Sequence, residues 1–334
     1  MKNILLHFSC LIFISMLLVD CGPDKPTIKN STSKIPSIAQ LDQVILENPN
    51  DATAYYDRAK IYYENEGYQE AIDDLQKALR IDTSKIEYHH LLADSYLDYF
   101  QSKNAVATLN HAIRKFPESV TTQLKLSEFY LILKQYENSI SSAGQILAKD
   151  GQNGEAYFMM GLNYRAMKDT LKAINSFQAA VENDPEIIDA WLILGNLYEE
   201  KNDPLALEFY NGALIAKPDD VNAMHSKAFY LQNHGGIAEA LSLYKKIMLL
   251  DRNNMNAPLN AGILYMEQDS IEAAYEHFNI LCNNIPENAV GYYYRGLSQE
   301  RAGKTKLAKA DFETALRFNP EYEKALQALN NLEE

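Results

Sequence analysis

The chain has 334 residues, and 47% of them are hydrophobic, too many for wholesale disorder. Its 45 acidic residues outnumber 31 basic ones and give a net charge of −14 with no cluster of Lys or Arg, which argues against nucleic acid as a partner. Of three cysteines, Cys10, Cys21 and Cys282, only Cys282 lies in the folded body, which therefore has a single thiol and no internal disulfide.

Met1 to Asp20 reads MKNILLHFSCLIFISMLLVD. Lys2 supplies positive charge, and Ile4 to Val19 is an apolar run of sixteen residues broken by His7 and two serines. That is short for a membrane span and right for a signal peptide. The run ends in Leu18-Val19-Asp20-Cys21-Gly22, which resembles the lipobox of bacterial lipoproteins. Asp20 departs from the small residue usual before the cysteine. The resemblance implies a signal peptide over residues 1–20 and lipid attached at Cys21 as the new N-terminus. It also implies an address, a lipid-anchored protein of the cell envelope. Gly22 stands where that family uses Asp for retention, so the outer membrane is the expected location. Acyl chains hold a protein on a bilayer because each buried CH₂ contributes about 0.8 kcal/mol. Residues 21–36 read as a tether. Gly22 to Pro36 has three prolines, several hydroxyl residues and no apolar period. A flexible chain of that length reaches roughly 20 Å.

Ser37 to Pro49 has the pattern of a helix, with Leu41 and Val44 on its apolar face, and residues 37–49 are expected to form an N-terminal cap. From Ala52 the chain repeats every 34 residues, with new units at Ile86, Val120, Gly154, Ile188, Val221, Met255 and Ala289. The fourth unit is the clearest. Tyr157, Gly161 and Tyr164 share one face of a first helix, and Ala173, Phe177 and Ala180 share one face of a second. Pro185 stops that second helix. Small Gly161 and Ala173 let two backbones approach, and the rings fill the space around them. Other units repeat the places: Ala59, Tyr62, Ala71, Leu75 and Ala78 in the first, Gly195, Tyr198, Ala206, Tyr210 and Ala213 in the fifth. The fifth is one residue short in its turn, where Asp203 reads as an N-cap followed by Pro204 at the first helical position. Trp191 opens its first helix as a large buried ring. A unit of this size cannot bury its apolar surface alone and needs its neighbours.

The period and the order aromatic, small, aromatic, then Ala, Phe, Ala and Pro resemble the tetratricopeptide repeat. Eight units cover residues 52–322. The resemblance implies an all-α fold, an α-solenoid wound as a right-handed superhelix of about eight helix pairs. Residues 323–334 are expected to form a C-terminal capping helix, with Leu326, Leu329 and Leu332 toward the last unit.

Side chains that could carry chemistry read as structural. Tyr62, Tyr96, Tyr130, Tyr164, Tyr198 and Tyr265 hold one repeated packing place among the 22 tyrosines. Cys282 falls where other units have Leu79, Ile113, Val181 or Met248, so it is expected to be a buried small hydrophobe. His89 takes the place of Trp191 and is expected to be a packed ring. His89 and His90 face different ways. No HExxH, CxxC, Walker or GxSxG motif is present, and no enzyme activity, metal or cofactor is expected.

A tetratricopeptide superhelix implies an inner groove lined by first helices. The places one residue beyond the packing positions hold Tyr56, Lys60, His90, Asp94, Leu124 and Glu128 in the first three units. In the last five they hold Phe158 and Leu162, Leu192 and Asn196, His225 and Phe229, Leu259 and Ile263, Tyr293 and Leu297. The first stretch is mixed and partly acidic, and the second is largely apolar. Contiguous exposed apolar surface marks binding sites. Phe158, Leu162, Leu192, Phe229, Leu259, Ile263, Tyr293 and Leu297 are therefore the candidate partner-binding residues. Lys60 is the only groove cation of the kind used to grip a C-terminal carboxylate, and Asn260 stands alone, without an asparagine ladder. The expected role is a scaffold or adapter that holds a protein or peptide segment, in outer-membrane assembly, pilus assembly or peptidase recruitment. The alternative is recognition of an envelope glycan, which favours exposed aromatics beside Asp, Asn and Gln.

Overall fold

Eight short turns, each holding a residue with positive φ, set the architecture. The computed structural model describes residues 37–332. The proposed signal peptide, Cys21, the tether and the last two residues lie outside them. Every regular element among the described residues is a helix. The first, α1 (Ile38–Glu47), precedes eight helix pairs. The pairs are α2 (Ala52–Glu64) with α3 (Tyr68–Ile81), α4 (Ile86–Asp98) with α5 (Ser102–Lys115), α6 (Val120–Ile132) with α7 (Tyr136–Lys149), and α8 (Gly154–Ala166) with α9 (Thr170–Asn183). They continue with α10 (Ile188–Glu199) and α11 (Leu205–Ala216), α12 (Val221–Asn233) and α13 (Ile237–Leu250), α14 (Asn256–Glu267) and α15 (Ile271–Asn284), α16 (Ala289–Arg301) and α17 (Thr305–Phe318). A last helix, α18 (Glu323–Asn331), closes the series.

Each pair is joined through one left-handed residue. These are Glu66, Phe100, Lys134, Lys168, Asn202, Gly235, Asp269 and Gly303. The residue just after it donates its N–H back to the helix, as Gly67 does to Tyr62 at 2.8 Å and Gln101 to Tyr96 at 2.7 Å. This satisfies carbonyls that the helix end leaves free. Only two of the eight are glycines, so in the other six the contacts around the turn offset the cost of a left-handed side chain. In the short fifth turn, Pro204 has helical angles (φ −63°, ψ −15°) and the Leu205 N–H donates to Asp203 Oδ1 at 3.0 Å. Pro204 has no N–H to satisfy there, so it starts a helix without loss.

The helices stack as an α-solenoid. Each second helix packs on the next first helix, and successive first helices touch directly, α2 with α4, α6 with α8, α10 with α12 and α14 with α16. Successive second helices do not pack as closely. First helices therefore crowd one face, and second helices fan out over the other.

Within a pair the contact is a ring in a notch. A Cβ on Gly161 would lie 2.5 Å from the Phe177 ring, and one on Gly195 would lie 2.3 Å from Tyr210. Gly262 with Phe278 and Gly296 with Phe312 repeat this at 2.4 and 2.6 Å. The sequence suggested that bare backbones meet at these glycines; instead an aromatic face occupies the room the missing Cβ leaves. Earlier units use a shallower notch and a smaller plug, Ala59 with Leu75 and Ala93 with Leu109, all fully buried. The third unit has a polar contact in that place. Ser139 Oγ donates to Ser127 O at 2.6 Å, and Asn163 Nδ2 of the next unit donates to Ser139 Oγ at 2.7 Å.

Three sequence expectations shift. Trp191 is half-buried rather than buried, with its ring against Gly212 and its Nε1 donating to Pro185 O at 3.0 Å. Val44 and Leu326 are exposed. In α18 the close approach to the last pair is made by Ala325 and Ala328, with Leu329 and Leu332 beside them. That face is centred one residue before the leucine spacing, which turns Leu326 outward. At the other end α1 starts as expected for a cap. Ser37 Oγ accepts from Gln40 N, and Gln40 Oε1 accepts from Ser37 N at 2.8 Å, a reciprocal capping box.

Two arginines fasten the ends. Arg58 forks onto Asp74 through Nε at 2.7 Å and Nη2 at 2.6 Å, while Nη1 reaches Asp42 in α1 at 2.6 Å. Arg295 forks onto Asp311 at 2.8 and 2.6 Å and donates to Asn279 at 2.8 Å. Asp74 and Asp311 are each only 6% exposed.

Candidate functional site

The first helices place the groove residues along one face, because every such helix is entered in the same register. In the first three units that face is charged. Lys125 of α6 bridges to Asp94 of α4 at 2.7 Å and lies over the Phe129 ring at 5.6 Å. Glu128 lies in the same cluster. Burial pushes the carboxyls of Asp94 and Glu128 above the usual range, with Lys125 opposing the effect for both. His90 shares its Nε2 with Thr122 Oγ1 at 2.8 Å. Burial, with Lys125 nearby, pushes its pKa down to about 4, so the ring is neutral at pH 7. Tyr63 donates to Asp98 at 2.5 Å. Lys60 pairs with Asp57 at 2.7 Å and covers Tyr56, which leaves little of its charge for a ligand.

From the fourth unit the face becomes apolar. Phe158 and Leu162 lean on the cluster around Phe177, and Leu192 leans on the cluster of Tyr210 and Tyr230. Leu259, Ile263 and Leu297 lean on Met266, Ala274 and Phe278. Tyr293 meets Phe312 and Tyr322, with ring centroids 6.0 and 5.2 Å away. Each of these seven side chains is half-buried: some of its surface packs within the array and some stays accessible. Phe229 is 45% exposed and stacks on His225, with ring planes 10° apart. Burial holds His225 below the usual imidazole range, and its Nε2 is buried without a partner. Asn196 accepts from Tyr210 OH at 2.7 Å.

Leu124 departs from its expected place. It is buried in the cluster with Ala143, Ile146 and Met159, so it belongs to the core and not to the groove surface. Sequence reasoning also missed Lys125, which sits beside a predicted groove place and links two units. A lone Lys among apolar residues of α6 was the available signal.

Cys282 is buried, and burial pushes its thiol up to about 11, which keeps it un-ionised. Among the described residues, no group of three His, Cys, Asp or Glu side chains could hold a metal ion. Among the same residues, no helix is long and apolar enough to cross a membrane.

Residues 37–85 and 158–221 match the family model of the tetratricopeptide repeat. These segments are tetratricopeptide repeats. The first takes in α1 and the opening repeat, and the second runs from the groove residue Phe158 to the start of α12. No curated protein matches the chain. Among solved structures, the chain is similar to one of the APC/C hetero-tetramer Cut9-Hcn1, at 16% identity over 89% of this chain and 59% of that chain, with a TM-score of 0.46. It is also similar to MamA, at 20% identity over 52% of this chain and 96% of that one, TM-score 0.46. A tetratricopeptide repeat protein from Parabacteroides merdae is 17% identical over 75% of this chain and 99% of its own, TM-score 0.45.

Proposed function

We propose that the chain is an envelope scaffold, lipid-anchored at Cys21, that holds a protein segment along its first helices. The observation that carries this is the stripe of Phe229, Ile263 and Leu297. These are partly accessible apolar groups at equivalent places on α12, α14 and α16. One anchor per repeat suits a partner with regularly spaced hydrophobic residues. The tetratricopeptide repeats support the scaffold role, since such repeats are binding modules. The lipobox-like Leu18 to Cys21 supports the anchor, and Gly22 supports the outer membrane as its location. The glycan alternative is disfavoured, because the accessible stripe is apolar and Asn196 is engaged by Tyr210.

The test pans a random displayed peptide library against the full chain and follows with calorimetry on the most enriched peptide. Phe229→Ala is expected to weaken its binding by about 1–3 kcal/mol and to leave the melting temperature nearly unchanged. If the melting temperature falls while affinity per folded molecule holds, Phe229 is a core residue and the stripe is not the site. In cells, Cys21→Ser is expected to lose lipid labelling and leave the membrane fraction. Labelling that persists would remove the anchor from the reading.

A further inference from the structure

The second repeat differs from the fifth on the outer face, away from the groove. The fourth residue of α10 is Trp191, and its indole lies against Gly212, four residues before the end of α11. The fourth residue of α4 is His89, and four residues before the end of α5 stands His111. Where the fifth repeat has an indole against a glycine, the second has two imidazoles, with centroids 5.4 Å apart and planes 25° apart. An imidazole is shorter than an indole. The cleft between α3 and α5, floored by α4, stays open as a cavity of about 460 Å³. That is within the size of small-molecule sites, roughly 300–1,000 Å³.

Its walls have a definite chemistry. His89 is 4% exposed, and its Nε2 is buried with no hydrogen-bond partner. A buried polar atom without a partner needs an explanation, and a ligand atom is one. Arg80, an exposed side chain, lines the cavity, and among the described residues no carboxylate pairs with it. Arg58 and Arg295, by contrast, are both clamped by aspartates. Arg80 lies in the last turn of α3, where a cation complements the helix dipole. That accounts for a basic residue at this place but not for the orphaned His89 nitrogen. Lys115 stands at the edge and donates to the Thr83 hydroxyl. No Asp or Glu lines the cavity, in a chain whose net charge is −14. Leu79 and Leu92 supply an apolar wall. Burial, with His111 and Lys115 beside it and the Thr83 backbone opposing them, holds His89 below the usual imidazole range.

We propose that this outer cleft binds a small molecule bearing an oxyanion, a carboxylate or a phosphate, gripped by Arg80 and His111 over His89. The anion compensates charges that the protein leaves unpaired, and it supports a proton on His89 that burial otherwise disfavours. An organic portion lies on Leu79 and Leu92.

The experiment follows the ring Cε1–H resonances of His89 and His111 in the full chain, by NMR, at constant ionic strength. Inorganic phosphate and benzoate are the two probes, and chloride is the control. At least one probe is expected to shift both resonances saturably and to raise the titration midpoint of His89 by about 1 unit. Which probe saturates tells phosphate from carboxylate. Arg80→Gln is expected to weaken that binding at least about tenfold, since a charge-assisted hydrogen bond is lost. Circular dichroism should be unchanged. Shifts that are linear in concentration, or equal with chloride, overturn the proposal. So does unaltered affinity in folded Arg80→Gln. Should that variant unfold, His111→Gln, at an exposed side chain, carries the same comparison.

Discussion

Arg295→Ala is expected to cost about 3–5 kcal/mol in urea denaturation, because it strips a buried carboxylate of its partner. Asp311, at 6% exposure, loses both hydrogen bonds of the fork, and water cannot replace them without opening the contact between α16 and α17. Removing the pair together separates this cause from lost packing. Arg295→Met with Asp311→Leu should recover most of the loss, since apolar replacement of a buried pair is often neutral. Arg295→Lys should recover a smaller share, because an ammonium lacks the planar fork. Hydrogen exchange should rise first in α16 to α18, as a solenoid is held by nearest-neighbour contacts. A single mutant as stable as wild type would mean that the fork is a surface pair of little worth.

The second large effect is a change of sign. Phe177→Ala should cost about 3–5 kcal/mol by emptying the centre of the fourth repeat. Gly161→Ala in the wild-type chain should cost about 1–3 kcal/mol, because its Cβ would lie 2.5 Å from the Phe177 ring. In the Phe177→Ala background the obstruction is gone. Gly161→Ala should then stabilise by about 1 kcal/mol, the helix-propensity gain of alanine over glycine. The first repeat already uses an alanine there, Ala59, against the smaller Leu75. Equal effects of Gly161→Ala in both backgrounds would show that ring and notch do not touch in solution.

The fold was legible because the sequence states it eight times. A single amphipathic pair is ambiguous, but a fixed register lets one repeat correct another. Helix ends were readable for the same reason, although α11 starts at Leu205, one residue later than the Asp203-Pro204 pattern suggests. What escaped was contact between residues far apart in the chain. Arg58 and Asp74 stand sixteen residues apart on different helices, and the pair recurs in register only at Arg295 and Asp311, too seldom to stand out as part of the repeat. The groove was legible only as a set of places. Phe229 is exposed there and Leu124 is buried, since the lean of a helix on its neighbour is not written in its own period. In α18 the leucines drew attention to themselves, but the alanines make the contact. The outer cleft was invisible for a further reason: His89 was correctly placed as a ring among rings, and only the volume around it shows that it is too short.

The serine contact of the third repeat has a consequence for orientation. A ring seated in a glycine notch removes a large side chain from water, which contributes about 1.5–3 kcal/mol. A neutral buried hydrogen bond contributes about 0.5–1.5 kcal/mol net. The seam through Ser127, Ser139 and Asn163 draws on several such bonds at once, all fully buried, where the later repeats draw on one ring. It falls where the charged face gives way to the apolar one. Hydrogen bonds are directional in a way that a ring in a notch is not, so this seam fixes how the fourth repeat is turned on the third at the place where the two faces meet.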